Sequence, residues 1–179
     1  AEVIALFAGG EQVSRVDAGQ EVELFLDTTP FYPEGGGQVP DRGTITAAGG
    51  QVRVERVAKV AGGLIAHRGR VVSGSLRVGE RVQATVDAAT RQSTARNHTA
   101  THLMHKALHE VLGDHANQAG SLVAPDRLRF DFTHFKPMTA DELREVERRV
   151  NERILENLPV RTRVTSFEEA KRSGAMALF

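Results

Sequence analysis

The residues with the clearest chemical potential lie in Asn97-His98-Thr99-Ala100-Thr101-His102. Histidines at i and i+4 of a helix sit one turn apart on one face, so their nitrogens can converge on one ion. A zinc ion, with Zn–N near ~2.0–2.1 Å, suits such a pair. At roughly 100° per residue, His98, His102, His105 and His109 fall within about 60° of one another. Leu103, Met104, Ala107, Leu108, Val111 and Leu112 fill a broad apolar arc elsewhere on the wheel. The same spacing equally suits surface or half-buried histidines on an ordinary amphipathic helix. Zinc-protease chemistry is excluded, because that motif needs Glu directly after the first histidine and Thr99 stands there. Thr101 offers a small hydroxyl to a substrate, or simply to the helix surface. A catalytic zinc takes three protein ligands plus water and a structural zinc four. Two histidines are too few, and His67, His105, His109, His115 and His134 add no second paired spacing that would close the site.

Two other segments can do chemistry. Phe31-Tyr32-Pro33-Glu34-Gly35-Gly36-Gly37-Gln38 carries three consecutive glycines, which permit positive φ and close approach of the backbone to another group. It is neither a P-loop, lacking a following Lys-Ser/Thr and a helix, nor a dinucleotide fingerprint. A plain hairpin loop is the competing reading. His115-Ala116-Asn117-Gln118-Ala119-Gly120-Ser121 follows the histidine helix as a short polar loop. From it Gln118 either reaches one end of the histidine stripe or stays a solvated amide.

The elements that must position these residues change character near Asp87. Before it, segments 3–7, 21–27, 43–46, 51–60 and 81–87 are β-branched, short and bounded by Gly, Pro or Asp. Such spacing suggests a small barrel or sandwich. From Asp87 the period becomes helical to Leu112, with Asp87 as N-cap and Gly113 just past the end. Segment 127–133 alternates strictly and puts Leu128, Phe130 and Phe132 on one strand face. Thr139 with Glu142 forms a capping-box pattern ahead of a stripe of Leu143, Val146, Val150 and Ile154. Pro159 ends that helix, 160–165 reads as a strand, and Ser166 with Glu169 opens a short helix that stops at Gly174. The expected domains are therefore 1–86 and 87–179.

Composition narrows the partners. The 179 residues carry 23 basic and 23 acidic side chains and no cysteine. Disulfides and thiolate metal ligands within the chain are excluded. A nucleic-acid binder usually shows a basic footprint, so RNA contact would have to come from local arginines such as Arg53, Arg56, Arg68 and Arg70. No stretch approaches the ~20 apolar residues of a membrane span, and residues 1–7 lack the basic start of a secretion signal. A soluble protein is expected.

Taken together, the motifs resemble one family. Phe31 to Gln38 followed by Asp41-Arg42-Gly43 looks like the glycine-rich signature of alanyl-tRNA synthetases and their free-standing editing relatives. Arg96 to Leu103 is similar to the first half of that family's zinc motif. Gln118-Ala119-Gly120-Ser121-Leu122-Val123, Leu128-Arg129-Phe130-Asp131-Phe132, Asn157-Leu158-Pro159-Val160 and Gly174-Ala175-Met176-Ala177-Leu178-Phe179 follow in the family's order. That ending favours the full synthetase over the free-standing proteins.

The resemblance implies an α+β fold, with a small N-terminal β-barrel and then an editing core of antiparallel sheet and helices, truncated at its C-terminus. That core is shared with threonyl-tRNA synthetase. It implies cytoplasmic zinc-dependent hydrolysis of tRNA-Ala mischarged with serine or glycine. His98 and His102 carry over as metal ligands, Thr101 and Gln118 as catalytic or discriminating residues, and Gly35, Gly36, Gly37 and Gln38 as substrate-binding residues. The family's later Cys-x-x-x-His ligands have no counterpart before Phe179, so the fragment alone is expected to be inactive. ATP and magnesium belong to an aminoacylation domain expected ahead of Ala1. A non-catalytic tRNA-binding module is the alternative reading, and a metal-dependent hydrolase of small amino-acid esters a third.

Overall fold

Alternation in the first half builds a sheet with a dry and a wet face. Val52, Val54 and Val57 are buried while Arg53, Glu55 and Arg56 between them stay exposed. In the computed structural model, which describes residues 1–174, eight strands form this sheet: β1 (Val3–Ala8), β2 (Glu11–Val13), β3 (Arg15–Asp17), β4 (Glu21–Leu26), β5 (Gly43–Ala47), β6 (Gly50–Lys59), β7 (Ile65–Arg77) and β8 (Gln83–Val86). Their order is β2-β1-β4-β7-β6-β5-β8, with β3 also paired to β7. All pairings are antiparallel. Leu6, Leu24, Ile45, Val52, Val71 and Leu76 fill the core beneath it. The segment ahead of β8 bonds the segment ahead of β1, through a Glu2–Arg81 bridge and Val82 N–H to Ala1 O at 2.9 Å.

The strand reading missed β7, the long central strand. It bends through two register shifts against β6, and Gly69 lies where an added Cβ would come within 1.8 Å of Arg53 O. Bulges and close approaches of this kind break the simple alternation that marks a strand in sequence.

The second half packs around α1 (Ala88–Leu112). Asp87 caps it, accepting from Thr90 N–H at 3.1 Å, and Gly113 follows its end. The hairpin β9 (Gln118–Val123) and β10 (Leu128–Phe132) lies against α1, as does α2 (Ala140–Leu155). Ala107, Leu108, Ala116, Phe130 and Val146 form the buried cluster there. Thr139 and Glu142 make the reciprocal capping box of α2, at 3.2 Å and 2.7 Å. Ser166 caps the short α3 (Phe167–Arg172).

Four expectations need correction. The histidine stripe is not set apart from the apolar face of α1: His105 is buried against Phe130, with ring centroids 5.0 Å apart. Gln118 is not in a loop but opens β9, opposite Phe132. Segment 160–165 forms no strand, and Val164 is 97% exposed, because among the described residues no strand is placed to pair with it. The α2 stripe is only half used, since Leu143 and Ile154 remain exposed while Val146 is buried. The part of the last motif at 175–179 lies outside the described residues.

Candidate functional site

The glycine-rich loop is pinned between the sheet and the second half. Tyr32 and Asp41 close its base, with Asp41 N–H donating to Tyr32 O at 3.0 Å and Tyr32 N–H to the Asp41 carboxylate at 2.6 Å. Its tip runs parallel to the end of β9: Val123 N–H donates to Gly37 O at 2.8 Å, and Val39 N–H to Val123 O at 3.0 Å. Gly37 has φ of +80°, and a Cβ there would lie 2.6 Å from Ser121 O. Only glycine accepts both conditions without displacing the loop.

This pinning delivers Gln38 to α1. Its Oε1 lies 2.7 Å from His98 Nδ1. The His98 and His102 rings stack, with centroids 5.1 Å apart and planes 19° from parallel. Burial first, and the neighbouring His102 second, hold the His98 pKa below its ordinary value, so the ring is neutral near pH 7. Both rings line a cavity of about 650 Å³ whose wall also includes Tyr32, Gln38, Arg91 and Thr162.

A pair neither the spacing nor the resemblance singled out as functional anchors this wall. Asp41, 6% exposed, receives Arg91 Nε at 2.9 Å and a second guanidinium bond from Nη2. Arg91 also donates to Pro30 O at 2.8 Å. The signal available in sequence was Asp41 itself, an acid directly after the apolar Val39-Pro40 step.

The other named residues lie outside the cavity wall. Thr101 is buried, and its hydroxyl donates to Asn97 O at 2.8 Å. Gln118 is in the ladder with β10, and the three glycines contribute backbone rather than lining. His67 is fully buried in the sheet's core, bonded to Thr29 Oγ1 at 2.7 Å and Leu24 O at 3.2 Å. His115 Nε2 meets His134 Nδ1 at 2.9 Å, away from the His98 pair. Among the described residues, no group of three or more His, Cys, Asp or Glu side chains could hold a metal ion. His98 and His102 therefore fit a zinc as two nitrogen ligands of an incomplete set. The arginines offered as an RNA footprint are largely neutralised: Arg56 pairs with Glu34 at 2.9 Å, Arg70 with Glu21 at 3.4 Å, and Arg68 with Glu23.

Comparison with known proteins bears on this geometry. The family model described as tRNA synthetases class II (A) matches residues 1–90, half of the chain. The chain belongs to the class II (A) tRNA synthetases. Among curated members of this class, an alanine–tRNA ligase from Thermus thermophilus is 55% identical over 179 residues, all of this chain and 20% of its own length. The alanine–tRNA ligase of Delftia acidovorans is 54% identical over the same span, again 20% of its length. That of Pelotomaculum thermopropionicum is 54% identical over 177 residues, 99% of this chain and 20% of its own. The chain thus spans about one fifth of these class II relatives. The family match ends before His98, whereas similarity to the ligases runs through the histidine helix and the hairpin beyond it.

Proposed function

We propose that this chain is the editing part of an alanine–tRNA ligase, clearing tRNA-Ala that carries serine or glycine by hydrolysing the aminoacyl ester. The observation that carries the reading is the stacked His98–His102 pair beside Gln38 in a walled cavity. In this reading the two histidines hold a zinc ion together with ligands from other residues. Such an ion would supply Lewis acidity toward the ester or its attacking water.

The chain's own residues supply the rest. The Asp41–Arg91 pair and the pinned glycine loop fix the cavity wall, which orients the amino-acid end of the substrate. Thr101, whose hydroxyl donates to Asn97 O, carries over from the resemblance as a discriminating residue behind the cavity wall. A site that bonds the hydroxyl of a misplaced serine disfavours alanine, which lacks it. Gln118 carries over as a second discriminating residue. We read the first sheet as a small barrel, supported by the bond between the segments ahead of β1 and β8. The two separate buried clusters support a domain boundary near Asp87. Mischarged tRNA-Ala is the partner and the cytoplasm the expected setting.

The test is hydrolysis of Ser-tRNA-Ala by this sequence set within a full-length ligase of the family. His98→Ala or His102→Ala should each lower the rate at least ~100-fold, more than is typical for residues that merely support a ligand. Full activity in both variants would sink the proposal.

A further inference from the structure

We infer that Gln38 is a positioning residue that keeps the proton of His98 on Nδ1, leaving Nε2 as the free nitrogen of a ring that lines the cavity. Its purpose rests on the zinc reading above; its geometry does not.

The argument starts from the 2.7 Å approach of Gln38 Oε1 to His98 Nδ1. An amide carbonyl oxygen can only accept, so Nδ1 must carry the hydrogen. A neutral imidazole has one N–H, and the other nitrogen is then a lone pair. Free neutral histidine side chains prefer the opposite tautomer, with hydrogen on Nε2, so the bond reverses an intrinsic preference. Histidines that bind metal ions ordinarily have their second nitrogen held this way by an acceptor.

Gln38 suits this task because its backbone is fixed independently of its side chain. Gln38 N–H donates to Gly35 O at 3.0 Å, and the flanking Gly37 and Val39 are bonded to Val123. The carbonyl is aimed from a fixed base, not from a swinging loop. With one lone pair of Oε1 committed to His98, the amide N–H groups of Gln38 and the second lone pair remain for a substrate.

Long-range proton–nitrogen NMR of the histidine-labelled 179-residue chain at pH 8 tests this. We expect His98 to show the Nδ1–H pattern. Gln38→Glu, which retains an acceptor oxygen, should preserve it. Gln38→Met, of similar length without an acceptor, should shift the tautomer ratio toward Nε2–H by about fivefold, the effect of one ordinary hydrogen bond. Unchanged Val39 and Val123 amide signals would report an intact loop. An Nε2–H pattern in the wild-type chain would overturn the inference without any variant having to fold, as would an unchanged ratio in folded Gln38→Met. Either result would leave the hydrolysis proposal standing, whereas full hydrolysis by His98→Ala would remove that proposal and leave the tautomer measurement intact.

Discussion

Asp41 and Arg91 illustrate how unequal the two halves of an ion pair can be. The carboxylate is almost fully buried, while the guanidinium side chain is 41% exposed. Removing the arginine strands a buried charge with only the Tyr32 N–H; removing the acid leaves a cation with access to water. Arg91→Met should therefore cost about 1.5–3 kcal/mol in urea denaturation, the range for hydrogen bonds to charged groups. In an Asp41→Asn background the same change should cost clearly less, and equal costs would refute the asymmetry. Buried histidines give a second residue-scale effect. Burial lowers the pKa of His67 and of His105 below the ordinary value. The unfolded chain then takes up protons first as pH falls below ~6.5, so the stabilisation is complete above that pH and declines beneath it. The denaturation midpoint should drop between about pH 7.5 and pH 5. His67→Gln should flatten that slope, and an unchanged slope would exclude His67 as a source.

At the scale of elements, the glycine loop and β9 act as one part. Gly37→Ala puts a Cβ 2.6 Å from Ser121 O on a backbone of positive φ. The left-handed conformation alone costs roughly 1–2 kcal/mol for a non-glycine residue. We expect a loss of at least ~2 kcal/mol, combining that term with the displaced contact. We also expect loss of the His98–Gln38 tautomer signature, and retention of both would show that the loop is not pinned as described. The elements that were legible in sequence are those whose signals are local. Asp87, Thr139 and Ser166 announced three helix starts, and Leu128, Phe130 and Phe132 announced β10. What was not legible depends on partners far away. Strand β7 is hidden by polar residues and glycines whose roles exist only against β3, β4 and β6. Segment 160–165 has strand-like residues but, among the described residues, no strand beside it. His98 and His102 could be found by spacing. That Gln38 would meet His98 across 60 residues could not, because it follows from the loop's tether to β9.

For the whole molecule, the cavity stands where the base of the glycine loop, the N-terminal half of α1 and the segment after α2 come together. Two histidines line it, and among the described residues no third His, Cys, Asp or Glu is grouped with them. Metal analysis of the purified chain should thus find zinc well below one equivalent, because two nitrogen ligands do not make a structural or catalytic site. Stoichiometric zinc that survives dialysis would contradict the two-ligand description. The exposed Leu155, Leu158, Val160 and Val164 concentrate on the end of α2 and the segment after it, and Val160 also borders the cavity. The order in which the chain leaves the ribosome gives the Gly37–Val123 tether a consequence of its own. Residues 31–41 emerge with the sheet, yet their anchor on β9 emerges some eighty residues later. Until then the loop has its base and the Glu34 N–H bond to Val57 O at 3.0 Å but not its attachment to β9, and loops held by few bonds are where proteases cut first. The cavity wall is therefore a late product of synthesis, assembled after the sheet that carries it.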